Sequence, residues 1–132
     1  ALNRVKKACI TNEKVAICGD YDADGMTSTA LLVKVLNTLG ANPRPAIPNR
    51  IKEGYGLNED MIEQLYREGV NLVITVDNGV SAKNAILKAK SYTMDIIITD
   101  HHVIPKNLPD VFALLHPETT PINSPYKKEK GH

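Results

Sequence analysis

Leu72-Val73-Ile74-Thr75-Val76, followed at once by Asp77-Asn78-Gly79, is the stretch that decides the fold. It is apolar nearly throughout and rich in β-branched residues, the pattern of a strand covered on both faces, as strands are in parallel sheets flanked by helices. Asp95-Ile96-Ile97-Ile98-Thr99 repeats the pattern and stops at Asp100. Between them Ala82, Ala85, Ile86 and Ala89 recur at helical spacing, with Ser81 placed to cap the helix. Upstream, Val15-Ala16-Ile17-Cys18 is a third apolar run, ending in Gly19 and Asp20. From Met26 to Leu39 the residues Leu31, Leu32, Val35, Leu36 and Leu39 read as a helix that Gly40 closes.

The remaining segments fit the same alternation. Asn42 to Ile47 is interrupted by Pro43 and Pro45 and can serve only as an irregular or edge strand. Asn58 reads as a helix cap, with Glu59 and Asp60 favoured by the helix dipole, an apolar stripe of Met61, Ile62, Leu65 and Tyr66, and a stop at Gly69. Val111 to Leu115 reads as a fifth strand, stopping at His116 and Pro117. The expectation is an α/β fold: a parallel sheet of about five strands with helices on both faces and right-handed crossovers. Ligands of such sheets sit at the carboxyl ends of the strands.

Composition narrows the function classes. The 132 residues suit one domain, and 42% hydrophobic with 23% charged residues is the balance of an ordinary globular protein. No run approaches the roughly 18 apolar residues of a membrane span. Sixteen basic against fifteen acidic residues leave a net charge of +1, so any polyanionic partner must be argued from a local site. Five Tyr and one Phe are scattered, with no stacking platform on one strand. Cys9 and Cys18 make neither a disulfide framework nor a zinc site, which points to a reducing, cytoplasmic setting. The chain starts at Ala1 with no secretory signal and reads as an excised piece that begins mid-structure.

Three of these strands end in acids: Asp20, Asp22 and Asp24 after the first, Asp77 after the next, and Asp100 with His101 and His102 after the last. Two like charges about 4 Å apart repel by roughly 4 kcal/mol at an effective dielectric of 20. Several such pairs would strain a domain stable by only about 5 to 15 kcal/mol. A divalent cation resolves the conflict, and carboxylates with an imidazole or two suit Mn2+ or Mg2+, with enough acids for two ions. Rival readings fare worse. A calcium loop starting at Asp20 needs Glu at its twelfth position, where Leu31 stands, and a P-loop needs Lys where Met26 stands. Simple turn and helix caps explain one Asp more readily than five acids with a His pair.

Gly19-Asp20-Tyr21-Asp22-Ala23-Asp24-Gly25, Ile47-Pro48-Asn49-Arg50 with Glu53-Gly54-Tyr55-Gly56-Leu57, Thr75-Val76-Asp77-Asn78-Gly79, and Asp100-His101-His102 resemble, in order, the motifs of the DHH phosphoesterases. The resemblance spans roughly residues 13 to 126. Asp20 stands where the family's pyrophosphatases and small-oligonucleotide phosphodiesterases have a His, which favours the branch that degrades single-stranded DNA. The resemblance implies a two-metal nuclease, a 5′ to 3′ exonuclease on single-stranded DNA serving DNA repair and recombination. Asp20, Asp22 and Asp77 would hold one ion, and Asp24, Asp77 and His101 the second, with Asp77 bridging. His102 would contact the scissile phosphate.

Asp100 is suited to orient a His by accepting its other ring N–H. Arg50 could reach a phosphate with its bidentate fork or be a solvated surface residue, and Tyr55 could stack a base or pack beneath its loop. His116 reads as structural, and Lys127, Lys128 and Lys130 as a solvated charge run. The family carries a further metal-binding Asp and a C-terminal substrate domain, neither matched here. Residues 1–132 are therefore read as the N-terminal part of a DHH domain. The alternatives are a phosphodiesterase of small nucleotides or oligoribonucleotides and a non-catalytic scaffold of the same fold, which the intact ligand set disfavours. Protein partners are not specified by the sequence.

Overall fold

A computed structural model describes residues 2–19, 23–46, 57–100, 106 and 110–116. Helices and strands alternate in the order α1 (Leu2–Ile10), β1 (Lys14–Cys18), α2 (Ala23–Thr38), β2 (Asn42–Ala46), α3 (Glu59–Arg67), β3 (Leu72–Val76), α4 (Lys83–Ser91), β4 (Asp95–Thr99) and β5 (Ala113–Leu115). The strands form one sheet in the order β2-β1-β3-β4-β5, parallel at every pairing. This is the expected α/β architecture.

Alternation within each strand splits the core into two layers. Val15, Ile17, Leu72, Ile74 and Ile97 pack with Ala8 of α1 and Leu36 of α2 on one face. Ala16, Cys18, Val73, Ile96 and Ile98 pack with Met61, Ile62 and Leu65 of α3 and Ala85, Ile86 and Ala89 of α4 on the other. Both faces of β1, β3 and β4 are therefore dry, which is why their sequences read as unbroken apolar runs. Each of the larger side chains contributes about 1.5–3 kcal/mol by leaving water. β2 accommodates its prolines because it is an edge strand. The Asn42 N–H donates inward to the Glu13 carbonyl at 3.0 Å, so the alternating nitrogens of Pro43 and Pro45 face outward, where no donor is needed.

Local signals hold with four adjustments. Asn58 caps α3 by accepting from the Met61 N–H at 2.9 Å, and Gly40 and Gly69 take the left-handed conformation at their helix ends. α2 begins at Ala23, so Asp24 lies in its first turn. It buries Thr29 and Leu36 while Leu31, Val35 and Leu39 stay exposed, because those three lie on the adjoining line of the helix surface. Ser81 is not a cap: the Gly79–Ala82 turn, closed by the Ala82 N–H on the Gly79 carbonyl, puts Ala82 at that position, and its methyl group has no oxygen to accept a bond. Tyr66 leaves the core stripe and stacks on Tyr92, ring centroids 4.0 Å apart. The Tyr92 hydroxyl donates to Glu63, an interaction that holds that carboxyl below its usual range.

At the amino end of the sheet, Arg4 is buried on α1 and grips the lead-in to β1 and the first residue of β4. Its Nη1 and Nη2 donate to Glu13 at 2.9 and 2.6 Å, and Nε donates to Asp95 at 2.7 Å. The bidentate bond to Glu13 above all keeps the guanidinium charged, against the cost of burial. Arg4→Met would leave Glu13, 15% exposed, without its cation, while the 38% exposed Asp95 is largely screened by water. The expected loss is about 1–3 kcal/mol in urea unfolding. A loss below about 0.5 kcal/mol, the range of an ordinary surface change, would show that α1 docks without this pair.

Candidate metal centre at the carboxyl edge of the sheet

From β1 the chain crosses outward through α2 to β2, and from β3 it moves the other way through α4 to β4. α2 and α4 lie on opposite faces, so the segments leaving β1 and β3 diverge, the arrangement that in open α/β sheets leaves a crevice between two adjacent strands. That topological switch point is where open α/β sheets bind ligands.

The β1 side is built on close approach. Cys18 is fully buried, and a Cβ on Gly19 would lie 1.9 Å from Thr29 Oγ1 and 2.8 Å from the Gly25 carbonyl. Glycine is thus what lets the β1 exit touch the first turns of α2. There the Thr29 hydroxyl donates to the Gly25 carbonyl at 2.7 Å, and Asp24 is exposed in the first turn, where the helix dipole favours a carboxylate. Burial pushes the Cys18 thiol up to about 12, so it stays protonated at neutral pH. Iodoacetamide at pH 8 should label the half-buried Cys9 while sparing Cys18 until the protein unfolds. Equal labelling in the native state, read by peptide mapping, would contradict a sealed β1 exit.

The β3 side is built on an unusual backbone. Asp77 has φ +61°, in the left-handed region, with its N–H donating to the Thr99 carbonyl at 2.9 Å. Asp and Asn tolerate that region better than other residues with a side chain. Gly79, at φ +108°, packs against Thr75, and Val80 donates its N–H to Asp100 Oδ2 at 3.1 Å. Register pairs Val76 with Thr99, so Asp77 and Asp100 leave neighbouring strands side by side. They differ in exposure: Asp77 is half-buried, whereas Asp100 is 7% exposed and anchors the Gly79–Val80 turn.

Asp24, Asp77 and Asp100 are therefore placed around the crevice, and His116 is buried at the end of β5, in keeping with a structural role. Asp20, Asp22, Arg50, Tyr55, His101 and His102 lie outside the described residues. Among the described residues no three His, Cys, Asp or Glu side chains gather as a metal cage. What is present fits a hard divalent cation in kind: the carboxylate oxygens of Asp24 and Asp77, both at least partly exposed at the carboxyl edge. Two elements were not singled out from sequence, Asn78 and Thr29. Each is a polar residue in or beside a motif, and each is buried.

Comparison with known proteins gives consistent matches. The DHH family, N-terminal domain, matches residues 14–126. The single-stranded-DNA-specific exonuclease RecJ of Bacillus subtilis (strain 168) is 44% identical over 131 residues, covering 99% of this chain and 17% of the relative. A crystal structure of exonuclease RecJ bound to manganese superposes with TM-score 0.83 at 34% identity, over 92% of this chain and 31% of that one. A crystal structure of RecJ from Thermus thermophilus in complex with Mn2+ gives TM-score 0.77 at 31% identity, over 97% and 17% of the two chains. The chain spans about a fifth of the length of the curated relatives it matches.

Proposed function

The chain belongs to the DHH family, and from that premise we propose that it is the metal-holding part of a hydrolase that removes nucleotides from the 5′ end of single-stranded DNA. One observation carries the reading. Asp24, in the first turn of α2, and Asp77, directly after β3, both lie within the family-matched residues 14–126, on the two connections that diverge at the switch point of the sheet. Relatives named as single-stranded-DNA-specific exonucleases, and solved RecJ structures holding Mn2+, support it.

In this reading Asp20, Asp22 and Asp77 hold one Mn2+ or Mg2+, and Asp24, Asp77 and His101 a second. Bound cations of this kind supply activation of water and neutralisation of phosphate charge. The chain's own work is placement. The left-handed backbone at Asp77 is fixed by the bond to Thr99, and its carboxylate would serve both ions. Asp100 orients an imidazole of the His pair, His102 meets the scissile phosphate, and Arg50 grips a phosphate with two parallel hydrogen bonds. The setting is cytoplasmic DNA repair and recombination. Among the described residues no helix is long and apolar enough to cross a membrane.

The test is a chimera in which these 132 residues replace the matching segment of the B. subtilis exonuclease. Given Mn2+, it should shorten 5′-labelled single strands, releasing labelled mononucleotide first, and lose that activity on His101→Ala. Attack from the 3′ end, a preference for dinucleotides over long strands, or activity unaffected by chelation would overturn the proposal.

A further inference from the structure

Asn78 is 4% exposed and uses its whole amide. Nδ2 donates to the Cys18 carbonyl and to the Val76 carbonyl, each at 2.9 Å, and Oδ1 accepts from the Leu57 N–H at 3.1 Å. The usual reason for Asn in a turn, tolerance of left-handed backbone, does not apply. The non-glycine residues with positive φ among those described are Asn12, Asp77 and Thr93. The side chain itself is what the position requires. Two donors and an acceptor on one short planar group match two carbonyls and one N–H. Asp would turn an oxygen toward the carbonyls and set another negative charge next to Asp77, while Leu would remove all three of these bonds.

Those backbone groups belong to three separate places. Cys18 ends β1, immediately before Gly19 and Asp20; Val76 ends β3, immediately before Asp77; and Leu57 follows the stretch from Arg50 to Gly56 and leads into α3. We infer that Asn78 is a positioning residue: one amide locks the exits of β1 and β3 and the lead-in to α3 to one another. The carboxyl ends of β1 and β3, and with them Asp77, thereby hold a fixed position relative to Leu57. The inference rests on the metal-centre reading for its consequence, but the lock itself is tested without metal.

The test compares the wild-type chain with Asn78→Ala, with Asn78→Asp as the shape-conserving variant, and with Val70→Ala, a core truncation remote from the crevice. Each is measured well below its melting temperature. Amide hydrogen exchange should show Leu57 losing protection in Asn78→Ala and keeping it in Val70→Ala, while Asn78→Asp, whose carboxylate still accepts from the Leu57 N–H, removes only the bonds to the Cys18 and Val76 carbonyls. Calorimetric titration with Mn2+ alone should show affinity lower by about 10-fold or more in both Asn78 variants and within about 2-fold of wild type in Val70→Ala. Retained protection at Leu57 in Asn78→Ala overturns the lock. Equal weakening of Mn2+ binding in Val70→Ala overturns the positioning role, since general destabilisation would then suffice. Should the wild type bind no Mn2+, the metal-centre reading falls, and Leu57 protection alone decides whether Asn78 locks the three segments.

Discussion

Gly19→Ala is expected to destabilise the protein by about 3 kcal/mol or more, at the upper end of what overpacking does to a core. Room, not dihedral freedom, is the reason, since Gly19 is not among the glycines with positive φ. A methyl group there would sit 1.9 Å from Thr29 Oγ1 and 3.3 Å from Thr29 Cβ, and 2.8 Å from the carbonyl oxygen of Gly25. Neither neighbour yields easily. Thr29 is 2% exposed with its hydroxyl bonded to that same carbonyl, and the carbonyl is helix backbone. Relief requires moving the amino-terminal turns of α2 off the sheet, and Asp24 with them. Removing the hydroxyl in Gly19→Ala/Thr29→Ala should recover part of the loss but not all, because the Gly25 carbonyl remains. Urea unfolding of the wild type and both variants checks this, and a cost below about 1 kcal/mol for Gly19→Ala would show the contact to be slack.

Asp77→Asn is expected to leave the fold intact and to weaken Mn2+ binding at least about 100-fold, beyond the roughly 10–100-fold that residues supporting a ligand carry. Asn is as content as Asp with a left-handed backbone, so the φ of +61° and the bond from the residue 77 N–H to Thr99 survive the change. What is lost is the charge of the carboxylate assigned to both ions. Asp100→Asn makes the contrast. One Asp100 oxygen already holds the Val80 N–H, so its substitution should loosen the turn and reduce affinity by a smaller factor. Without metal, Asp77→Asn should melt no lower than wild type, because removing one of several like charges relieves repulsion. Equal affinities for the two variants in calorimetric titration, or a larger loss at Asp100, would remove Asp77 from the bridging position.

Much of this architecture is legible in the residues because β1, β3 and β4 are covered on both faces, and burial on both sides leaves an unbroken β-branched signature. Acids at three strand ends were legible for the same reason, since the apolar runs stop abruptly at the carboxyl edge. The strand order, and with it the crevice between β1 and β3, was not. Nothing local in Val15–Cys18 or Leu72–Val76 says that the two are neighbours while β2 lies outside. Asn78 and Thr29 escaped because their roles are long-range or steric: Asn78 reaches Cys18 across the sheet and Leu57 across the crevice, and Thr29 matters through a glycine that must touch it. The Ser81 cap failed because the local capping preference lost to a turn already closed by the Gly79 carbonyl.

Where a cation binds can be read in solution by titrating Mn2+ into isotope-labelled protein and following paramagnetic broadening of backbone amides. Strands of five residues separate the two edges of the sheet by about 16 Å, enough for the broadening to tell one edge from the other. Substoichiometric Mn2+ should erase the amide signals of Gly19, Asp24, Asp77, Asn78 and Asp100 first, leaving Glu13, Asn71 and Met94 at the amino edge sharp. Asp77→Asn should abolish the effect at the same Mn2+ concentration. Broadening centred on the amino edge, or uniform weak broadening that Asp77→Asn does not change, would contradict a cation site between β1 and β3.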